Sequence, residues 1–305
     1  MESIPQWKTR AMTGPKIWNR ARASLETEEV YGGSAMKLFY DSRLGRIFLD
    51  QLLTKPWLSK AYGSLQSSSI SRCKIAPFIK QFGIDMNEFE DRPFQDFNDF
   101  FTRKFRPGAR NFSQDLTKMP AFCEGRYLAL PRLSREGNIP VKGFRLETPT
   151  LFNGSSWENT FLGGSGFIAR LCPVDYHRYH FPDSGRKRES FRAHGPLHSV
   201  NPMALEARPE ALFTNERQIT ILETDNFGKL AYIEVGALMV GKIVESHRAE
   251  QFQRGDEKGY FLFGASTVIL LAEPGRIQID QEILDKSAQG IETLVKLGEP
   301  IARKA

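Results

Sequence analysis

The sequence predicts an α+β fold, in which a helical N-terminal portion precedes a mainly antiparallel β domain. From Ser34 to Tyr62, apolar residues recur at near-helical spacing, which is typical of amphipathic helices. Beyond Ala121, short apolar runs rich in β-branched residues alternate with Gly, Pro, Asn and Asp turns, a pattern typical of β-strands. With 305 residues, of which 40% are hydrophobic, the chain can bury a large core.

The elements are predicted in the following order along the chain. Residues 1–30 show neither period and are predicted to form an irregular segment. Residues 31–110 are predicted to be helical, with a break at Pro56. Residues 111–305 are predicted to form the β domain, which also contains a last helix over Ile291–Lys296. The strands predicted in it are Arg126–Leu130, Gly166–Leu171, Gln218–Glu223, Leu230–Val240 and Tyr260–Leu271.

The predicted helices between Ser34 and Tyr62 mix Phe, Leu and Trp57 with basic side chains. Such a surface suits a helix that covers its own domain's core, which is the interpretation we prefer. It also suits an interfacial helix that dips into an anionic membrane. No run approaches the roughly 18 apolar residues of a spanning helix, and the polar N-terminal stretch lacks the apolar region of a secretory signal. Membrane contact is therefore expected to be peripheral.

The charge and the cysteines exclude several function classes. A formal net charge of +6 permits attraction to anionic partners, including acidic lipid head groups. The basic residues are not concentrated in a nucleic-acid pattern, and the nearest cluster, Arg186-Lys-Arg188, is short, so no nucleic-acid partner is predicted. The three cysteines, at 73, 123 and 172, lack metal-ligand spacing, so neither a disulfide framework nor a metal site is predicted. A reducing cytoplasm fits this cysteine usage.

One small polar pair, Ser266-Thr267, interrupts the apolar run Gly259–Leu271. A buried hydroxyl is tolerated only with a hydrogen-bond partner, so its placement there needs a reason. Gly264 and Ala265 are among the smallest residues, and they leave the carbonyl group before Ser266 open to attack. A self-cleaving serine needs this layout, although a Gly-Ala-Ser turn between two strands is also a common structural feature.

A second motif, Asp175-Tyr-His-Arg-Tyr-His180, accompanies this run, and the two together resemble the phosphatidylserine decarboxylase family. Members of that family carry a Gly-Ser-Thr or Gly-Gly-Ser-Thr cleavage motif and an Asp-Tyr-His-Arg-x-His motif. The similarity extends from about Tyr31 to Arg276, and several motifs in the family's order are more specific than one short pattern. The other matching segments are Phe97–Lys104, Pro107–Arg110, Val141–Gly143, Ser199–Pro202, Asn215–Arg217 and Val235–Gly241.

The resemblance implies an enzyme of phospholipid biosynthesis that converts phosphatidylserine to phosphatidylethanolamine and CO2. Its cofactor would be a pyruvoyl group made from Ser266. Decarboxylation needs a place for the electron pair that CO2 leaves behind, and a carbonyl conjugated to an amide carbonyl accepts it, as pyridoxal phosphate does elsewhere.

The same resemblance implies that the chain cuts itself to make this group. The Ser266 hydroxyl would attack the carbonyl of Ala265, and elimination from the resulting ester would separate residues 1–265 from residues 266–305. Dehydroalanine left at position 266 would then hydrolyse to pyruvoyl with loss of ammonia. The β-rich region would thus be the catalytic domain, with its cleavage site at 265/266.

The resemblance also assigns roles to three further side chains. His180 matches the second His of the family motif and is the predicted base for cleavage, because a neutral imidazole accepts a proton near neutral pH. His177 matches the first His and is predicted to act on the substrate. The family's Pro-Ala-Asp-Gly motif corresponds to Pro120–Gly125, where Glu124 takes the place of the acid that orients His180. Asp175 is the second candidate for this acid.

The spacing of the two histidines constrains how they reach one site. Positions 177 and 180 would point to opposite faces of a regular strand. A turn or bulge is therefore expected if both side chains are to meet there, and Pro182 and Gly185 suit such a break.

Two departures from the family pattern leave room for other functions. Ala265 stands where members with a two-residue lead carry Gly, and its β-carbon is expected to slow cleavage. Together with Glu124 it motivates a second hypothesis, a processing-deficient homologue that only binds lipid. A third hypothesis is a serine hydrolase that uses Ser266, His180 and Glu124 without self-cleavage, but the chain lacks a G-x-S-x-G motif there.

The self-cleaving decarboxylase is the hypothesis we prefer. It implies that the protein binds phosphatidylserine at an anionic membrane surface and lies peripherally on the cytoplasmic face of the cell membrane. A homodimer is expected from the family resemblance alone.

Overall fold

A computed structural model describes residues 14–28, 63–134, 137–139, 144–146, 148–200, 205, 210–237, 243–264 and 266–305. In these residues the fold is α+β, with mostly antiparallel sheets and short helices, as the sequence predicts. The helices predicted between Ser34 and Tyr62 lie outside the described residues.

The described strands number eighteen. In chain order they are β1 (Lys16–Asn19), β2 (Ser24–Thr27), β3 (Lys118–Pro120), β4 (Gly125–Leu130), β5 (Gly137–Ile139), β6 (Phe144–Leu146), β7 (Gly166–Leu171), β8 (Arg178–His180), β9 (Gly185–Ala193), β10 (Arg217–Thr224), β11 (Gly228–Val235), β12 (Ile243–Glu245), β13 (Gln251–Phe252), β14 (Glu257–Phe261), β15 (Ser266–Ala272), β16 (Ile277–Ile279), β17 (Glu292–Val295) and β18 (Pro300–Lys304).

The helices of the described residues are short. In chain order they are α1 (Ile75–Phe82), α2 (Phe97–Phe101), α3 (Thr148–Leu151), α4 (Glu158–Phe161), α5 (Ala211–Thr214) and α6 (Gln281–Ala288), and two 3-10 segments span Ser69–Lys74 and Met86–Glu88.

A sheet of ten strands forms the centre of the described fold, in the order β13-β9-β10-β11-β15-β7-β4-β17-β1-β2. Within it, β1 and β17 pair in parallel and the other neighbours are antiparallel. The smaller sheets have the orders β12-β14-β8, β16-β18-β3 and β5-β6.

The inner strands of the main sheet are buried on both faces. Every residue of β4, β7 and β15 is buried, which explains why these strands are almost continuous apolar runs and do not alternate with polar residues. The sheet that contains β8 and β14 packs on one face, where Tyr179 and Tyr232 have ring centroids 6.0 Å apart. This arrangement places the start of β15 deep inside the molecule.

A second, aromatic cluster joins the helices α1 and α2 to the β domain. Apolar side chains spaced three and four apart on α1, at Ile75, Phe78 and Ile79, face this cluster. The helix ends at Gly83, whose φ of 59° is a left-handed conformation that glycine adopts without a steric penalty. The N-terminus of α2 is capped by Asp96, whose side chain accepts from the Asp99 backbone N–H. The buried members of this cluster are Ile75, Phe78, Phe97, Phe100, Phe101 and Phe263.

The prediction of an irregular segment over residues 1–30 is wrong for β1 and β2. These strands form a hairpin at the edge of the main sheet, and Ile17 of β1 pairs with Glu292 near the other end of the chain. Trp18 also donates its Nε1–H to Glu282 at 2.6 Å. Contacts with distant residues stabilise this hairpin. A hairpin stabilised in this way does not need a strong strand pattern in its own short sequence, and this one has none that reveals it.

The predicted helix over Ile291–Lys296 is also wrong, since Glu292–Val295 forms β17. This strand lies between β4 and β1, and its Thr293 and Val295 side chains are buried there. The helix of this region, α6, comes earlier. The predicted run Tyr260–Leu271 is split into β14 and β15 by a loop.

In the described part of the chain, no helix has both the length and the hydropathy required to cross a membrane.

Candidate active site

Ser266 is the first residue of β15 and pairs with Leu171 of β7. Its side chain is fully buried, and its Oγ atom has no hydrogen-bond partner among the described residues. The Oγ1 atom of Thr267 is also buried and also has no hydrogen-bond partner among the described residues. A buried polar group without a partner costs about 1–3 kcal/mol, and native proteins keep few of them. Ser266 is therefore a candidate for a residue retained for chemistry.

The loop between β14 and β15 is held in place by α2. The backbone N–H of Phe263 donates to Oδ1 of Asn98 at 2.8 Å. The ring of Phe263 lies 5.0 Å, between centroids, from the rings of both Phe97 and Phe101. Gly264 has a φ of 150°, which favours glycine. Ala265, the predicted residue on the upstream side of the cut, lies outside the described residues.

His177 is buried beside this loop. Its Nδ1 atom lies 3.0 Å from the backbone oxygen of Asp175 and must donate to it, since a carbonyl oxygen only accepts. Its Nε2 atom then carries the lone pair and has no partner within the described residues. Burial lowers the pKa of His177 to about 3, so the ring is neutral at neutral pH. This is the protonation state and tautomer that a base requires.

Phe101 connects His177 to the loop. Its ring centroid lies 3.8 Å from that of His177 and 5.0 Å from that of Phe263. The backbone oxygen of His177 also accepts from the N–H of Phe261, the last residue of β14. The structure thus brings His177 and the chain just upstream of Ser266 together.

His180 has different surroundings. Its Nδ1 atom lies 2.8 Å from the oxygen of Gly255, and its Nε2 atom lies 3.3 Å from the hydroxyl of Tyr176. Burial lowers the pKa of His180 as well, so this ring is also biased toward the neutral form. The pairing of β14 with β8 shifts register between Glu257 and Gly259, in the partner strand and not at Pro182 or Gly185, where the sequence suggested a break. Neither ring nitrogen bonds to Ser266.

Glu124 is engaged by a cation and does not bond to His180 in this structure. Its carboxylate accepts from Nε and Nη2 of Arg110, at 2.7 and 2.9 Å, and from the backbone N–H of Leu297 at 3.2 Å. Arg110 also pairs with Glu88 at 2.8 Å. The role of Glu124 in orienting His180 thus stays a prediction from the sequence.

Asp175 instead positions the other histidine, through its backbone. Its side chain accepts from Arg126 and, at 2.6 Å, from the backbone N–H of Cys172. These contacts fix the turn that follows β7 and so fix the carbonyl oxygen that receives the Nδ1–H of His177. Burial raises the pKa of Asp175, although the charge of Arg126 opposes the shift.

A buried charge network extends from this turn. Arg170, which pairs with Thr267 in the sheet, forms ion pairs with Glu28 and Glu292. Burial opposes ionisation of Glu28, but Arg170 and Arg126 overcome it and lower its pKa to about 2. These charges are compensated by one another, so the network fixes the strands around Ser266. Among the described residues, no group of three or more His, Cys, Asp or Glu is arranged to hold a metal ion.

Sequence reasoning gave no individual role to Asn98, Phe101 or the backbone oxygen of Asp175. The signal available for Asn98 and Phe101 is that both lie in Phe97–Lys104, one of the segments that match the family. Their contacts, and that of the Asp175 oxygen, join distant parts of the chain and leave no local pattern.

The fold and the site together are typical of a class of protein with a candidate nucleophilic serine buried at the head of an inner strand and a neutral histidine buried next to the loop before it. Comparison with known protein families shows which family within this class the chain matches. A family model described as "Phosphatidylserine decarboxylase" matches residues 97–303. The chain belongs to this family.

Curated relatives of similar length support the assignment, and each is named "Phosphatidylserine decarboxylase proenzyme". The relative from Clostridium perfringens is 39% identical over 295 residues, which cover 95% of this chain and 99% of the relative. The relative from Clostridium tetani is 39% identical over 292 residues, 95% of this chain and 98% of its own. The relative from Ruminiclostridium cellulolyticum is 38% identical over 289 residues, which cover 94% of this chain and 96% of the relative.

Proposed function

We propose that this chain is a self-cleaving, pyruvoyl-dependent decarboxylase that converts phosphatidylserine to phosphatidylethanolamine and CO2. The observation that carries the proposal is the buried Ser266 hydroxyl at the first position of β15, which has no partner among the residues that the structure describes. The relatives' printed name supports it, since a proenzyme is a precursor that must be processed.

The residues around position 266 fit a pyruvoyl group. When present, the group supplies a conjugated carbonyl that accepts the electron pair left by CO2. The chain's own contribution is to hold position 266 rigidly, since β15 is paired with β7 on one side and β11 on the other. The Oγ1 atom of Thr267 and the Nε2 atom of His177, both without partners among the described residues, leave polar atoms available in this region.

We assign proton transfer at this site to His177. Its Nε2 atom is an acceptor with no partner in the described part of the chain, and the Asp175 carbonyl holds the ring in the required tautomer. In the cleavage step, the Ser266 hydroxyl attacks the Ala265 carbonyl carbon and the base takes the hydroxyl proton. His180, the base predicted from the motif, remains the alternative, although Tyr176 and Gly255 engage its nitrogens in the uncut chain.

Cleavage between Ala265 and Ser266 would leave the large chain 1–265 and the small chain 266–305 in one folded unit. Three of the small chain's strands interlock with the large chain: β15 between β11 and β7, β17 between β4 and β1, and β18 beside β3. Separation would break strand pairs in two sheets, so we expect the two chains to remain associated under native conditions.

We further propose that the protein acts peripherally at an anionic membrane surface, on the cytoplasmic face of the cell membrane. Leu65 and Ile70 have relative exposures of 50% and 76%. In the sequence they precede Arg72 and Lys74, which end a 3-10 segment, by two to nine positions. A short stretch with both exposed apolar and basic side chains suits a surface of anionic lipid. Residues 31–110 would form the helical portion that presents this surface, residues 111–305 the catalytic domain, and a homodimer the working assembly.

The activity is tested by release of labelled CO2 from phosphatidylserine carrying the label in its serine carboxyl group. Purified protein should release the label and form phosphatidylethanolamine, whereas the Ser266→Ala variant should release none. A folded wild-type protein that binds phosphatidylserine vesicles but releases no CO2 would favour the lipid-binding homologue. Hydrolysis of esters by an uncut wild-type chain would favour the serine hydrolase.

A further inference from the structure

Asn98 is the point at which α2 contacts the loop before the predicted cut. Its side chain is 5% exposed, and its amide is fully used. The Nδ2 group donates to Oγ of Ser67 at 2.9 Å and to the backbone oxygen of Gly63 at 3.3 Å. Because the Gly63 oxygen can only accept, the amide nitrogen faces that side. The Oδ1 atom must then face Phe263, whose N–H it accepts at 2.8 Å.

This bond anchors the upstream end of a very short segment. Phe263 lies three residues before Ser266, and Gly264 and Ala265 alone separate the two. The downstream end is anchored by the sheet, where Ser266 pairs with Leu171. The Ser266 hydroxyl must approach the neighbouring Ala265 carbonyl through a five-membered ring, so the backbone angles between the two anchors decide whether attack is possible. Asn98 is the side chain that fixes one of these anchors.

The same segment also fixes the histidine beside the loop. Arg103, which follows α2, donates through Nη2 to the backbone oxygens of Val174 and Asp175, at 2.8 and 3.3 Å. The Asp175 oxygen is the one that receives the Nδ1–H of His177. Arg103 is 1% exposed and lies over the Phe89 and Phe100 rings, at 4.4 and 4.8 Å from their centroids. Residues 98–103 therefore contact both the loop before Ser266, through Asn98, and the turn that holds His177, through Arg103.

We infer that Asn98 is a positioning residue for self-cleavage, which holds the Phe263 backbone so that the Ser266 hydroxyl faces the Ala265 carbonyl. The inference rests on the proposed function, because it concerns the step that makes the pyruvoyl group. Asn98 takes no part in bond making. It acts through the Phe263 N–H, and its loss frees the loop upstream of the cut.

The test compares the cleavage rates of three variants with that of wild type, from the fraction of cut chain over time after synthesis. Asn98→Ala removes the acceptor for Phe263 and should slow cleavage about 10- to 100-fold, the range expected when a reacting group is misplaced by about 1 Å. Asn98→Asp keeps an acceptor oxygen but loses the donors to Ser67 and Gly63, so it should restore most of the rate. Ser67→Ala is the matched control, since it removes a partner of Asn98 without touching Phe263, and it should cut within about threefold of wild type.

Each outcome decides the matter. Cleavage of Asn98→Ala at the wild-type rate would overturn the inference, and so would a Ser67→Ala variant as slow as Asn98→Ala, because Asn98 would then only tie α2 to the preceding segment. If Asn98→Ala does not fold, the cleavage rates of Asn98→Asp and Ser67→Ala are compared. A folded Asn98→Asp variant that cuts more than tenfold more slowly than Ser67→Ala would refute the role of the side-chain oxygen that accepts from Phe263. An uncut wild type would instead reject the proposed function itself.

Discussion

The buried ion pair between Lys258 and Glu234 offers a quantitative test of how charge is accommodated beside the site. Both side chains are fully buried, and Lys258 lies over the Tyr232 ring at 5.2 Å. Glu234 pairs with Val268 in the sheet. Ser266 lies two residues before Val268 on β15, so Glu234 and Ser266 lie on the same face of the sheet. Burial raises the pKa of Glu234, although Lys258 opposes the shift, and its Oε2 atom has no partner within the described residues.

Replacing Lys258 by Met leaves this carboxyl without its compensating charge. The group can remain ionised, at a cost of about 3–5 kcal/mol for an uncompensated buried charge. Alternatively it takes up a proton, and neutralising a carboxyl of ordinary pKa near 4.3 at pH 7 costs about 3.7 kcal/mol. We therefore expect Lys258→Met to lower the free energy of unfolding by roughly 3–4 kcal/mol at pH 7. The double variant Glu234→Leu/Lys258→Met should lose less than about 1 kcal/mol, because no buried charge remains.

The assay is urea unfolding at equilibrium, with every variant built on Ser266→Ala so that one uncut chain is measured. In Lys258→Met, the folded-state pKa of Glu234 lies above its unfolded value, so the folded form binds the proton more tightly and stability falls as pH rises. The deficit should therefore shrink to about 1 kcal/mol at pH 5. A deficit under 1 kcal/mol at pH 7, or one that is equal at both pH values, would refute the reasoning.

Three further predictions concern the cleavage step and its histidines. His177→Gln should slow cleavage by about 100-fold or more, the usual contribution of a general base; if only His180→Gln has this effect, the motif-based assignment of His180 is right instead. Ala265→Gly should speed cleavage about fivefold, if relief of a β-carbon contributes about 1 kcal/mol, and equal rates would show that Ala265 is no brake. Burial lowers the pKa of His177 to about 3, so the stability that depends on its neutral form is complete above pH 6.5 and is lost as the pH falls toward 3. Urea unfolding of the uncut form should show a loss of roughly 2 kcal/mol between pH 7 and pH 5, and an unchanged stability would contradict the burial of a neutral ring.

The sequence predicts best those parts of the fold in which local pattern and final environment agree. The predicted strand Gly166–Leu171 coincides with β7, because a short apolar run bounded by turn residues is what a strand buried on both faces requires. The hairpin of β1 and β2 could not be predicted in the same way, since it depends on pairing with β17 at the far end of the chain. For the same reason Ile291–Lys296 was assigned as a helix: its apolar spacing is compatible with both periods, and only the neighbours β4 and β1 decide for a strand.

The candidate residues of the site came from the family resemblance, and their contacts could not be predicted from the sequence. The resemblance pointed to Ser266, His177 and His180, whose catalytic roles stay predictions; all three are buried or largely buried close to the β8–β14 pair or to the loop that follows it. Which histidine faces that loop depends on Phe101, a residue more than seventy positions earlier in the chain. Likewise, the partner of Glu124 is Arg110, and no local pattern distinguishes an acid that orients histidine from one that pairs with arginine.

The central claim is that Ser266 cuts its own chain and becomes a ketone. The most direct measurement is the intact mass of the purified protein under denaturing conditions, before and after treatment with borohydride. The account predicts two chains, of which the smaller begins at position 266, is lighter by one ammonia than the serine-initiated peptide, and gains two hydrogens on reduction. A single full-length mass from folded, mature protein, or a small chain with an ordinary serine at its N-terminus, would contradict it.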